Sequence, residues 1–222
     1  GKVYDGYSNS FYQTEIIEGI KVVRVWSYIA ANEGSIKRIL DYVSFMVSAT
    51  LAALFLPRPD VVIGTSPQLF AAVAAWLTSK FKRVPFVFEL RDLWPESILA
   101  VGAMQKGYWL TKLEQFVSFL YRQADLMVPV TNAFGKVLEK EGVPPEKITV
   151  ITNGIEPGSH QLTETRSAVR ARWGIPADAF VGGCIGTLGM AHGRATMLEA
   201  DELVSGDGPP CFEHMGSGLG PE

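Results

Sequence analysis

Cysteine is scarce in this chain: its 222 residues contain two, Cys184 and Cys211, in unrelated contexts. Their number and spacing exclude a disulfide framework and give no metal-ligand pattern, which suits a reducing cytoplasm and a protein without zinc. Excess positive charge is also missing. Lys and Arg number 20 against 23 Asp and Glu, a formal net charge of −3, and that balance argues against wrapping nucleic acid. No signal peptide opens the chain, and Gly1 stands in place of a methionine, so the sequence is expected to begin inside a longer protein. Apolar runs long enough to cross a membrane are lacking as well. Residues 42–57 fall short of the roughly 20 that a spanning helix needs, and 61–79 is divided by Gly64-Thr65-Ser66-Pro67. The first run retains the option of lying on a membrane. What is present is 47% hydrophobic and 19% charged, the balance of a globular chain whose core needs no staples.

Turn signals and apolar runs then divide the chain. Residues 1–14 read as a surface loop, and Glu15–Trp26 alternates around Glu18-Gly19, which predicts a hairpin with its second arm over Lys21–Trp26. Ser35 is a good cap for a helix running to about Phe55. Asp60–Gly64 is a short β-branched strand, and Pro67 suits the first turn of a helix to about Lys80. Val84–Leu90 is apolar apart from Glu89 and rich in aromatic and β-branched residues, as in a strand covered on both faces. Trp109, Leu110, Leu113, Phe116, Val117, Leu120 and Tyr121 recur at the spacing of one helix face, predicting a helix over 107–124. Leu126–Val130 is another strand, Thr131 caps a helix to about Gly142, and Ile148–Thr152 is a strand again. This alternation predicts parallel strands joined by right-handed crossovers, a doubly wound α/β domain. After Asn153-Gly154 two breakers, Pro157 and Gly158, mark a domain boundary. A helix over Thr163–Trp173, a strand over Phe180–Ile185 and a helix from about Arg194 follow, and the tail after Ser205 is rich in glycine and proline, predicting no packed element.

Two constellations carry chemistry. The first is the charged end of the Val84–Leu90 strand, where Pro95 forbids the ladder from continuing. Ligands of open α/β sheets sit outside the carboxyl ends of the strands, so Arg91, Asp92 and Glu96 occupy the position for a site, with Trp94 walling it off from water. The plainer alternative has Arg91 and Asp92 pairing with each other or capping the next helix. The second is Gly186-Thr187-Leu188-Gly189-Met190-Ala191-His192-Gly193. Glycines after a strand let the backbone approach a phosphate, and the following helix offers free N–H groups and its positive end. Its spacing is not the dinucleotide fingerprint, and a tight strand-to-helix turn with an ordinary loop histidine explains it equally well.

Taken in order, Phe86 to Glu96, then Ile151-Thr152-Asn153-Gly154-Ile155, then Ile185 to Gly193 resemble the family 4 glycosyltransferases, and most nearly the enzymes similar to fucosamine transferases of bacterial surface-polysaccharide pathways. The resemblance spans residues 1 to about 204. It implies two Rossmann-like domains: an acceptor-side domain over 1–152 lacking the family's first strand, a hinge over 153–162, and the truncated start of a donor-binding domain over 163–222, poorly ordered after about 205. It also implies retaining transfer from a nucleotide-sugar co-substrate, with no metal, to a polyprenyl-diphosphate-linked sugar. By that resemblance Asp92, Arg91 and the weaker Glu96 form the catalytic side, and Gly186, Thr187, Gly189, His192 and Gly193 hold the donor diphosphate. Many members carry His-Asp where this chain has Arg91-Asp92, leaving Asp92 to orient sugar or acceptor and Arg91 to meet phosphate. The expected location is cytoplasmic, peripheral on the inner membrane, with residues 36–56 against an anionic surface. As a fragment, the 222 residues alone are expected to be inactive. The alternative is a catalytically empty α/β module that binds a membrane or a partner protein.

Overall fold

Glu18 and Gly19 both adopt positive φ, 50° and 82°, the combination that a two-residue hairpin turn of the primed type requires. They join β1 (Tyr12–Ile17) to β2 (Ile20–Val25), antiparallel with Tyr12 opposite Val25. The first strand begins inside the stretch that the sequence reads as loop. Cross-strand contacts stabilise it there: Phe11 stacks on Trp26, and Arg24 pairs with Glu15. This computed structural model describes residues 3, 6–29, 35–93, 107–156, 158, 164–177, 182–185, 199 and 212–215. The chain divides into two compact units, Gly1–Asn153 and Gly154–Glu222.

In the first unit the hairpin is followed by α1 (Ser35–Phe55), β3 (Val62–Thr65), α2 (Leu69–Lys82), β4 (Phe86–Leu90), α3 (Tyr108–Gln123), β5 (Leu126–Pro129) and α4 (Asn132–Lys140). Strands β3, β4 and β5 form a parallel sheet in that order, with Val62 beside Phe86 and Val87 beside Leu126. Strand β4 starts two residues later than the sequence suggests. Val84 donates its N–H to Ser79 O at 3.0 Å, closing α2, and Pro85 has no N–H to give. Helix α2 likewise starts at Leu69, with Gln68 still extended, so Pro67 precedes the helix rather than entering its first turn. The strand predicted over Ile148–Thr152 is a single parallel bridge, Met127 to Ile148, with Thr149 N and Ile151 N donating to Met127 O and Pro129 O. Pro129 cannot return a ladder bond, and regular pairing stops there.

Burial along β4 alternates instead of being complete. Phe86, Phe88 and Leu90 are buried on one face, while Val87 and Glu89 are half-buried on the other. A monotonic strand order explains this, because right-handed crossovers between β3, β4 and β5 bring their helices to the same face. The opposite face carries Val87, Glu89, Leu126 and Val128, half-buried, and Ile63 and Thr65, exposed. On the covered face Leu69, Ala72 and Val73 of α2 and Val117, Leu120 and Tyr121 of α3 close over Phe86, Phe88 and Met127. Gly64 permits this approach: a Cβ there would stand 2.7 Å from Ala75 Cβ and 3.2 Å from Ala72 Cα. Thr131 caps α4 as its type predicts, its hydroxyl accepting from Phe134 N at 3.1 Å.

Helix α1 has 21 residues, about 31 Å at the usual rise. Contrary to the sequence reading of residues 42–57 as too short, the helix extends the apolar run toward its N-terminus, and its Lys37–Phe55 portion is long and apolar enough to cross a membrane by length and composition, and is little buried. It packs on α2 all the same. No basic residue lies in its last turn, and Lys82, at the end of α2, donates its ammonium to Leu54 O at 2.8 Å and Leu56 O at 2.6 Å.

The second unit holds α5 (Arg166–Arg172), capped by Thr165, whose hydroxyl accepts from Ala168 N at 3.3 Å. A parallel pair follows, β6 (Gly182–Ile185) with β7 (Phe212–Met215), Gly182 beside Phe212. The sequence predicts no element in the tail. Yet Phe212-Glu213-His214-Met215 is free of the glycine and proline that surround it, and these four residues form the strand.

Candidate functional site

The three parallel strands end together. Ser66 N donates to Glu89 O at 3.0 Å, and Val130 N to Leu90 O at 3.1 Å; these are the last bonds of the ladder. Beyond them β4 has no neighbouring strand on either side, and its next two residues are Arg91 and Asp92. Their backbone N–H groups turn to one side chain: Ser66 Oγ accepts from Arg91 N at 2.8 Å and from Asp92 N at 3.1 Å. The same hydroxyl donates to Asp92 O at 3.3 Å. Ser66 itself is only 3% exposed. Sequence reading treats Gly64-Thr65-Ser66-Pro67 as a break between strand and helix. The one available signal was a small hydroxyl residue directly after a strand in an otherwise apolar run.

The Arg91 side chain is exposed and the Asp92 side chain half-buried. Among the described residues neither pairs with the other or with another charge, since the ion pairs they form are Arg24–Glu15 and Arg172–Glu164. A mutual Arg–Asp pair, the first of the two plain alternatives, is therefore absent; the second, capping of the next helix, falls on residues outside those described. Helices α2 and α4 begin directly after β3 and β5, so their positive ends lie at the edge of the sheet that carries Arg91 and Asp92. A guanidinium, a carboxylate and two helix N-termini at the carboxyl edge of a parallel sheet can hold a phosphorylated ligand and orient a hydroxyl beside it.

Of the residues singled out in the sequence, Arg91 and Asp92 are brought together here. Glu96, Gly186, Thr187, Gly189, His192 and Gly193 lie outside the described residues, as do Trp94 and Pro95. Among the described residues no three His, Cys, Asp or Glu converge as a metal-binding group.

The model of the glycosyl transferase 4-like domain matches residues 4–154. The chain belongs to that family. Within the glycosyl transferase 4-like region lie the hairpin, the parallel sheet and the Arg91-Asp92 edge. A curated relative, the putative colanic acid biosynthesis glycosyl transferase WcaI of Escherichia coli strain K12, is 26% identical over 228 residues, covering 99% of this chain and 55% of the relative. Among solved structures, Anabaena HepE (Alr3699) in complex with UDP and glucose superposes with a TM-score of 0.55 at 19% identity, over 84% of this chain and 46% of that one. The same protein with UDP-glucose gives 0.54 at 18% identity, over 82% and 44%. The α/β fold with a parallel sheet is thus shared with HepE. The chain spans about half the length of the relatives it matches.

Proposed function

We propose that the full-length protein is a retaining glycosyltransferase that moves a sugar from a nucleotide-sugar donor to a polyprenyl-diphosphate-linked sugar in bacterial surface-polysaccharide biosynthesis. The observation that carries the reading is Arg91 and Asp92, without an ion pair among the described residues, at the carboxyl edge of a glycosyl transferase 4-like sheet. WcaI, putatively a colanic acid transferase, supports the polysaccharide role, and HepE bound to UDP and to UDP-glucose supports a nucleotide-sugar donor. In this reading Asp92 orients the reacting hydroxyl or sugar and Arg91 meets phosphate, with Glu96 assisting. By the family resemblance, Gly186, Thr187, Gly189, His192 and Gly193 hold the donor diphosphate, without a metal ion. The subgroup similar to fucosamine transferases is the nearest guide to the sugar. Transfer of this kind draws much of its rate from holding donor and acceptor in one geometry. The test is release of nucleoside diphosphate from a panel beginning with UDP-glucose, with and without a polyprenyl-diphosphate sugar. Acceptor-dependent release is the expected result; no release with any pair would leave the catalytically empty module as the better description.

The acceptor's lipid calls for a membrane, and α1 offers a surface for one. Leu40, Val47, Leu51, Leu54 and Phe55 form an exposed apolar stripe along it, Phe55 at 88%. Exposed Lys37 and Arg38 at its start and Arg58, Lys80 and Arg83 beyond its end can meet anionic headgroups, at about 1 kcal/mol for each basic residue near the surface. We therefore place the protein on the cytoplasmic face of the inner membrane. In flotation with vesicles containing phosphatidylglycerol it should rise with the lipid, and Leu51→Asp with Val47→Asp should abolish the effect in a protein that remains folded. Unchanged flotation of that double variant would rule α1 out.

A further inference from the structure

We infer that Ser66 is a positioning residue for the Arg91-Asp92 pair, acting through the main chain; the inference rests on the function proposed above. Strand β4 loses its neighbours at Leu90, and the conformation of the next two residues decides where both charged side chains point. Two backbone N–H groups in succession, without partners from the ladder, are held by one oxygen, at 2.8 and 3.1 Å, and that oxygen's own proton returns to Asp92 O. A hydroxyl can do all of this at once, with one donor and two acceptor lone pairs. Ser66 is in turn fixed by its own N–H to Glu89 O and by Thr65, whose hydroxyl donates to Ser66 O at 3.0 Å. The clamp therefore spans β3 and β4, and the two charged residues inherit the rigidity of the sheet. Displacements of about 1 Å at reacting groups can lower rates about a hundredfold, so loss of the clamp should register in turnover before it registers in binding.

The experiment compares Ser66→Ala, the near-isosteric Ser66→Cys, and Ser79→Ala in the full-length protein. Sulfur is a weak acceptor, so Ser66→Cys removes the clamp while keeping the volume. Ser79 is an equally buried hydroxyl that donates to Trp76 O at 2.7 Å, away from the strand ends. Both Ser66 variants should speed hydrogen exchange of the Arg91 and Asp92 amides about tenfold or more, leaving that of Phe88 unchanged. They should lower kcat about tenfold with KM within about twofold, whereas Ser79→Ala should lower stability but leave kcat alone. In an Asp92→Asn background Ser66→Ala should lower kcat by less than it does in the unaltered protein, because one of the two groups it positions is gone. Unchanged exchange at residues 91 and 92 would overturn the inference, as would faster exchange with unaltered kcat in a protein that Asp92→Asn inactivates. Full turnover in Asp92→Asn itself would remove the site reading, and this inference with it.

Discussion

Asp92→Asn in the full-length protein should lower turnover about a hundredfold or more, the scale of a lost group that stabilises charge or moves a proton in the transition state. Asparagine keeps the size of the side chain and one acceptor oxygen, so the substitution removes the charge and exchanges the other acceptor for a donor. The main chain at residue 92 is secured by Ser66 and does not depend on the carboxylate, and Asp92 forms no ion pair among the described residues. Folding should accordingly be spared. A hundredfold loss corresponds to about 2.7 kcal/mol in the barrier, well beyond what a solvated surface charge contributes. Steady-state release of nucleoside diphosphate measures it, and turnover within about threefold of the unaltered protein would refute the assignment.

The largest effect on stability is expected from Phe88→Ala. Phe88 is 1% exposed, lies 5.9 Å from the Phe86 ring centroid and 5.7 Å from that of Tyr121, and sits at the middle of the central strand. Removing a buried phenyl ring loses its transfer free energy and leaves a cavity, together about 3–5 kcal/mol. Against a whole stability of about 5–15 kcal/mol, that is a large share. Ile63→Ala is the contrasting substitution. Ile63 lies on the other face of the same sheet and is 65% exposed, so its loss should cost no more than about 0.5 kcal/mol. Urea midpoints compare the two, and equal shifts would show that the sheet buries its two faces alike.

Local chemistry was legible wherever it acts over a few residues. Glu18-Gly19 announced the hairpin, Thr131 the start of α4, and the apolar run to Leu90 the central strand with Arg91 and Asp92 at its end. Features that depend on partners distant in sequence were not. The phenylalanines and Val87 look equally apolar in the sequence, and it is the strand order that decides which of them a helix covers. The end of pairing at Ile148 depends on the missing N–H of Pro129, a residue on another strand. Ser66 reads as part of a breaker, because nothing near it in the chain shows that its hydroxyl serves residues 25 and 26 positions away. The family was visible as an ordered set of motifs, whereas the clamp behind one of them depends on contacts distant in sequence.

The ammonium of Lys82 on the last carbonyls of α1 has a consequence for how the first unit comes apart. When α2 leaves, the carbonyls at the end of α1 lose Lys82 and turn to water, and α1 also loses the face it packs on, so the two helices are expected to loosen together. The exposed apolar stripe of α1 is then carried by a two-helix segment that loosens as a block. Whatever lies against the stripe stabilises both helices, and through α2 it also stabilises the packing over Gly64 that holds β3 in register with β4.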